Sequence, residues 1–228
     1  MSFQTSNRAV LFDLDGTLVD TAPDLINALK ALCVHAKRPF PLRDDWSGLV
    51  SRGAAGLIDA ALGESAPEDK ATYLTYFLSH YESHLYQDSE LFEGIDSLLA
   101  ACRTRGWRLG VVTNKKMAFA QSILDQAGLS DHFGVLIGGD SLAKNKPAPD
   151  PVWAACDALA IPPKRTVLVG DDERDLVAAE RAGALGIVAG WGYGVSQIRP
   201  QSVALSQWCD TPAEVYDVLT QWASDDVD

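Results

Sequence analysis

Ala9-Val10-Leu11-Phe12-Asp13-Leu14-Asp15-Gly16-Thr17-Leu18-Val19-Asp20 is the stretch on which the reading of this chain turns. Arg8 to Phe12 reads as a short strand buried on both faces, because its apolar residues run without a polar alternate. Asp13 stands where that strand ends. Asp13 and Asp15 are two apart in an extended segment, so their side chains can point the same way. Two adjacent carboxylates repel, and one pKa rises unless a cation sits between them. With a cation, one can stay ionised as a nucleophile while the other handles protons. Gly16 permits a sharp turn and a close approach by a ligand. A bare D-x-D-G would be no more than a strand and a turn shaped by Asp15. The longer form, an apolar strand running into D-L-D-G-T-L-V-D, is far more specific.

Working outward, Pro23 opens a helical run with Leu25, Ile26, Leu29, Leu32, Cys33 and Ala36 at amphipathic spacing. Helical patterns recur at about Gly53–Leu62 and Lys70–Leu85, with no strand evident between Val19 and Leu85. After Phe92-Glu93-Gly94 the pattern alternates. Helices are expected from Ile95 to about Gly106, Ala118–Ala127, Pro151–Leu159, Glu173–Ala182 and Pro212–Trp222. Strands are expected at Trp107–Thr113, Phe133–Ile137, Thr166–Val169 and Ala184–Val188. Strands alternating with helices predict an α/β fold, a Rossmann-like parallel sheet with helices on both faces. An inserted helical cap follows the first strand. The expected division is core 1–19, cap 20–88 and core 89–228.

Parallel sheets bind ligands at the carboxyl ends of their strands. Polar groups stand just there four times: Asp13, then Thr113 with Asn114, then Lys146, then Gly170-Asp171-Asp172. A hydroxyl and free amides at Thr113 and Asn114 suit a phosphate oxygen, although many helix caps look alike. Lys146 lies among Pro147, Pro149 and Pro151, which stiffen its loop, so it can balance the charge of Asp13 and a bound anion. Lys144 and Lys115 read as solvated loop lysines. Asp171 and Asp175, four apart, can face one point, and hard oxygen ligands of this kind hold magnesium. Asp171 is the expected ligand and Asp175 its support, while Asp172 suits a helix N-cap.

Together these motifs resemble the haloacid dehalogenase superfamily of phosphohydrolases, in particular its phosphoglycolate phosphatase-like branch with a helical cap. Leu91-Phe92-Glu93-Gly94, the Val-Val-Thr-Asn-Lys strand end and Gly192-Tyr193-Gly194 are also similar to N-acetylmuramic acid 6-phosphate phosphatases. The resemblance implies catalysis by Asp13, Asp15 and Lys146, with Asp13 forming an aspartyl-phosphate. It implies that Asp15 protonates the leaving alkoxide and then activates water. It implies Mg2+ at Asp13, the backbone carbonyl of Asp15, and Asp171, with Asp175 beside them. Thr113, Asn114 and Arg52 are the expected substrate-binding residues. Arg52, in Ser51-Arg52-Gly53, can read a second anionic group, or can be a solvated arginine at a helix start. Phosphoglycolate is the first expected substrate and the sugar phosphate the alternative.

Rival readings stay within reach of the same motifs. A haloacid dehalogenase needs no magnesium cage, which the Asp15, Asp171 and Asp175 set speaks against. A phosphonate hydrolase would need a cap lysine, and Lys30, Lys37 and Lys70 stand in no recognised motif. A phosphomutase would keep the same core residues. A non-catalytic binding module would be expected to have lost one of them.

Composition narrows the partners. The 228 residues are 47% hydrophobic and 22% charged, which suits a packed core. A net charge of −12 is a poor match for a nucleic acid or an anionic membrane surface. No stretch is long and apolar enough to span a bilayer, and the polar Met1–Arg8 lacks the layout of a signal peptide. Cys33, Cys102, Cys156 and Cys209 are far apart, and the first three fall on apolar helix stripes, as buried thiols do in a reducing compartment. The expected setting is cytoplasmic, the expected partner a small-molecule phosphate ester, and the expected state a monomer or homodimer.

Overall fold

A computed structural model of the chain describes residues 7–63, 67–199 and 206–225. In chain order it has β1 (Ala9–Phe12), β2 (Val19–Asp20), α1 (Ala22–His35), α2 (Trp46–Leu49), α3 (Gly53–Leu62), α4 (Pro67–Ser83), β3 (Glu90–Leu91) and α5 (Ile95–Thr104). Then come β4 (Arg108–Val112), α6 (Met117–Gln126), β5 (Val135–Ile137), α7 (Asp150–Leu159), β6 (Thr166–Gly170), α8 (Glu173–Ala182), β7 (Leu185–Ala189), β8 (Gln207–Cys209) and α9 (Pro212–Asp225).

Six strands form one sheet in the order β5-β4-β1-β6-β7-β8, and every neighbouring pair is parallel. This is the expected α/β fold. All four residues of β1 are fully buried, as a central strand covered on both faces requires. Side chains alternate between two cores. Val10 and Phe12 join Val111, Val169 and the stripes of α5, α6 and α9, while Ala9 and Leu11 pack with Leu168, α7 and α8. Burying one such Leu or Phe contributes about 1.5–3 kcal/mol. A charge on either face of β1 would therefore break a core.

Register decides where the chemistry sits. Phe12 lies opposite both Val111 and Val169, so Asp13, Thr113 and Asp171 leave the sheet at one edge. β1 is also where the order reverses: the chain builds outward from it through β4 and β5 on one side and β6, β7 and β8 on the other. A crevice forms at such a point.

The helical cap, α1 to α4, is inserted after β1. Its two connections lie side by side because β2 pairs antiparallel with β3, Val19 opposite Leu91. Asp24 of α1 is buried and accepts hydrogen bonds from the N–H groups of Gln87 and Asp88 and from the Ser89 hydroxyl. This ties the start of the cap to its end.

Several expectations are corrected. β2 falls where no strand was expected, and β3, α2 and β8 were also unforeseen. Two- to four-residue elements are too short to show a period, and a distant partner defines them. β4 stops at Val112, leaving Thr113 beyond the strand, and β5 starts at Val135. β7 runs one residue later than expected, Leu185–Ala189, and α4 spans Pro67–Ser83. Cys33, Cys102 and Cys156 are buried on their helices as expected, and Cys209 is buried in β8.

Candidate active site

Asp13 follows β1 directly. Leu14 donates its N–H to Asp13 Oδ1 at 2.7 Å, and Lys146 Nζ lies 3.0 Å from the same oxygen. Asp13 Oδ2 has no protein partner among the described residues. Lys146 is buried; its Nζ also donates to the Val112 carbonyl at 2.6 Å and pairs with Asp175 Oδ1 at 2.6 Å. Burial works to lower the pKa of this ammonium, but Asp13 and Asp175 outweigh it and the net shift is upward. Asn114 Nδ2 donates to the Lys146 carbonyl at 2.9 Å, so its amide holds the lysine loop against the end of β4.

Asp171 follows β6 and is 2% exposed. Its Oδ1 accepts from the Thr17 hydroxyl and its Oδ2 from the Gly194 N–H, each at 3.0 Å. Burial, then the charges of Asp13 and Asp175, push its pKa up to about 8. Asp175 sits at the start of α8, where its Oδ2 accepts the Asp172 N–H while Asp172 Oδ1 accepts the Arg174 N–H. This reciprocal cap fixes the first turn of the helix, and Asp172 is the N-cap that the sequence suggested. Burial raises the Asp175 pKa and Lys146 pulls it back.

Asp13, Asp171 and Asp175 each present a carboxylate oxygen, all within 4.8 Å of one another. One lysine stands against three carboxylates, and burial, with the repulsion of Asp13 and Asp175 added to it, raises the Asp171 pKa. Hard oxygen donors with unrelieved negative charge fit a small divalent cation. The Asp15 carboxylate lies outside this trio. Its Oδ1 accepts from the Thr21 hydroxyl at 2.5 Å and from Lys115 Nζ at 2.8 Å.

A cavity of about 470 Å³ opens above these groups, between core and cap. Asp13, Asp15, Thr113, Asn114 and Asp171 line its floor, and Arg52, Leu57, Phe77 and Tyr81 come from the cap. A sequence model of haloacid dehalogenase-like hydrolases matches residues 10–189, spanning the strands that carry these groups. The chain belongs to the haloacid dehalogenase-like hydrolases.

This hydrolase is 36% identical over 210 residues to a phosphoglycolate phosphatase of Xanthomonas campestris, covering 92% of this chain and 95% of that one. It is 37% identical over 215 residues to an N-acetylmuramic acid 6-phosphate phosphatase of Pseudomonas aeruginosa, covering 93% and 94%. A crystal structure described as a predicted phosphoglycolate phosphatase from Haemophilus somnus superposes with a TM-score of 0.81 at 28% identity, covering 92% of this chain and 97% of that one. Relatives so named and so fully aligned make this chain a phosphoric monoester hydrolase.

The structure corrects one sequence reading outright. Lys115 is not a solvated loop lysine: its side chain is 7% exposed and paired with Asp15. The turn after Thr113-Asn114 carries it under the cap, where its ammonium lies 4.8 Å from the Tyr81 ring centroid. Burial opposes the charge, but Asp15 and then Tyr81 outweigh it and raise the lysine's pKa. Lys144 is the exposed lysine expected, 3.5 Å from Asp150. Arg52 lies at the start of α3 on the cavity wall, exposed and without a hydrogen bond or ion pair among the described residues. Among the described residues no cap lysine lines the cavity: Lys30 lies 3.4 Å from Asn27 Oδ1 and Lys70 pairs with Asp59.

Sequence reasoning missed Arg174 and the Trp191–Gly194 segment as site residues of this hydrolase. Arg174 grips Asp172 through two nitrogens and donates to the Ser51 carbonyl at 2.6 Å, tying α8 to the loop that carries Arg52. Trp191 Nε1 donates to the Thr17 carbonyl at 3.0 Å, and the Tyr193 hydroxyl donates to Asp20 at 2.6 Å. The signal for Arg174 was the Gly170-Asp171-Asp172-Glu173-Arg174-Asp175 run, and for the later segment Gly192-Tyr193-Gly194, whose glycines let the backbone pass against Asp171.

Proposed function

We propose that this chain hydrolyses phosphomonoesters through an aspartyl-phosphate on Asp13, with magnesium as its metal. The observation that carries this reading is the convergence of Asp13, Lys146, Asp171 and Asp175 at one sheet edge, below a cavity that holds Asp15. Asp13 Oδ2, free of protein partners among the described residues, attacks phosphorus as the ester P–O bond breaks. Asp15 gives its proton to the leaving alkoxide. A water then attacks phosphorus, Asp15 takes its proton, and the Asp13–phosphorus bond breaks to release phosphate. Lys146 holds Asp13 in place and offsets phosphoryl charge, and Thr113 and Asn114 present their groups to a phosphate oxygen. Asp13, Asp171 and the Asp15 carbonyl would hold magnesium, which when bound supplies charge neutralisation for the phosphoryl oxygens. Asp175 supports the set through Lys146. Four free, buried cysteines fit a cytoplasmic setting.

For the substrate, the first expectation is 2-phosphoglycolate, and the relatives' names support either it or N-acetylmuramic acid 6-phosphate. Both carry a carboxylate besides the phosphate, which suits the unpaired Arg52. Cavity size favours the second reading. About 470 Å³ lies in the range that holds drug-sized ligands and far exceeds a two-carbon acid. The apolar wall of Leu57, Leu74, Phe77 and Phe119 suits the acetamido and lactyl methyl groups of the sugar.

The test is phosphate release with magnesium from 2-phosphoglycolate, N-acetylmuramic acid 6-phosphate and hexose phosphates. A kcat/KM at least about tenfold higher for the N-acetylated sugar is expected, corresponding to ~1.4 kcal/mol. The highest value on 2-phosphoglycolate would refute the size argument. Asp13→Asn should abolish turnover with the melting curve retained, and substantial residual activity would remove Asp13 as nucleophile.

A further inference from the structure

We propose that Lys115 is the positioning residue that orients Asp15 for proton transfer, and that Tyr81 of the cap holds Lys115 in that role. This rests on the assignment of Asp15 as the acid and base of the reaction. Lys115 Nζ and the Thr21 hydroxyl donate to the same oxygen, Asp15 Oδ1. Asp15 Oδ2 has no protein partner among the described residues and borders the cavity that Asp13 also lines. Two donors on one oxygen fix the plane of the carboxylate and leave the other oxygen to meet the ester. Thr21 alone would leave that plane to swing on a single contact.

A lysine stem is flexible, so it orients another group only when its own path is fixed. Here it is. The side chain is almost wholly enclosed, and the ammonium lies 4.8 Å from the centroid of the Tyr81 ring, within cation–π range. Tyr81 is 2% exposed and belongs to α4, while Phe119 of the core helix α6 meets its ring edge-on at 5.7 Å. Asp15 and Lys115 belong to the core and Tyr81 to the cap. The clamp is therefore complete only when the cap lies against the core. A role for Lys115 as a substrate cation fits less well. Its ammonium is already engaged and enclosed, whereas Arg52 is exposed and unpaired on the same cavity wall.

The step at stake is defined by its bonds. The Asp13 oxygen–phosphorus bond forms, the bond from phosphorus to the leaving oxygen breaks, and a proton passes from Asp15 Oδ2 to that oxygen. An alkoxide needs the proton; p-nitrophenolate does not. Benzyl phosphate and p-nitrophenyl phosphate have organic groups of similar size and differ chiefly in this demand. The ratio of their kcat/KM values therefore reads proton delivery and cancels effects on binding or folded fraction. Lys115→Met should lower the benzyl-to-nitrophenyl ratio about tenfold, a fraction of the usual general-acid contribution. Lys115→Arg should restore part of it, and Tyr81→Leu should lower it about threefold. Asp15→Asn serves as the reference and should lower it most.

A wild-type ratio in Lys115→Met, alongside a lowered ratio in Asp15→Asn, would overturn the role of Lys115. A wild-type ratio in Asp15→Asn would instead overturn the assignment of Asp15. Equal losses on both esters in Lys115→Met would mark a binding or structural lysine and also refute the proposal. Should Lys115→Met fail to melt cooperatively, Lys115→Gln and Tyr81→Leu carry the test. Wild-type ratios in both would refute it.

Discussion

Replacing Gly16 by alanine tests how closely the turn after β1 and the acidic site are built around each other. Gly16 has φ +79°, a conformation in which a side chain is strained. A Cβ there would lie 2.4 Å from Asp171 Oδ2, against a working minimum of 3.0 Å, so the carboxylate must retreat by about 0.6 Å. Retreat takes Asp171 away from the Thr17 hydroxyl and the Gly194 N–H, both now at 3.0 Å. The left-handed backbone costs roughly 1–2 kcal/mol, and weakening bonds to a carboxylate adds about 1.5–3 kcal/mol. The total is about 2.5–5 kcal/mol, or a fall in Tm of roughly 5–20 °C for a chain of this size. Displacing Asp171 should also raise the magnesium concentration for half-maximal activity about 10–100-fold. Gly128→Ala is the control: φ there is +70° and nothing lies within 4 Å of an added Cβ. It bears the backbone cost alone. Thermal melts and a magnesium titration on both variants decide the matter. If Gly16→Ala melts with Gly128→Ala and needs no more magnesium, the tight fit between the turn and Asp171 is refuted.

Arg52→Ala should raise KM for N-acetylmuramic acid 6-phosphate about tenfold or more, the worth of a charge-assisted contact of about 1.5–3 kcal/mol, and leave KM for p-nitrophenyl phosphate nearly unchanged. Equal effects on both esters would return Arg52 to the role of a solvated arginine. A pH series tests the acidic trio. Asp171 has a folded-state pKa of about 8 against an ordinary 3.8, so between those values the folded state binds more protons than the unfolded state. Stability of the metal-free protein should therefore fall as pH rises from about 4 to about 8, and the Tm gain on adding magnesium should grow over the same window. A magnesium-induced shift that is the same at about pH 5 and pH 8 would contradict this, and Asp171→Asn should flatten the pH dependence of the shift.

What the sequence could reveal was what lies at the ends of regular elements. β1 is four apolar residues, and its end is visible because the charged Asp13 follows, with Asp15 and Gly16 close behind. Thr113 and Asp171 were legible for the same reason, and parallel pairing brings strand ends to one edge whatever the loops do. Lys146 was legible through the prolines that confine its loop. Lys115 was not. It stands two residues from Thr113, yet whether a flexible lysine points to water or inward depends on what covers it, and the cover is Tyr81, 34 positions earlier in the chain. Arg174 shows the same limit: its near partner Asp172 is local, but its link to Ser51 is set by how the cap docks.

The sequence by itself determined the alternation of the longer strands and helices, the carboxylates and lysine after the strand ends, and hence the class of chemistry, because period and punctuation are local properties. Only the tertiary structure decided which oxygen of Asp15 is held and which is free. It alone brought Asp13, Asp171 and Asp175 within 4.8 Å of one another and placed an apolar cavity with the unpaired Arg52 above them. The trio depends on the register of β1 against β6 and on where α8 starts. The rest depends on how an inserted helical cap packs against the sheet edge, and no pattern within a single segment encodes these contacts.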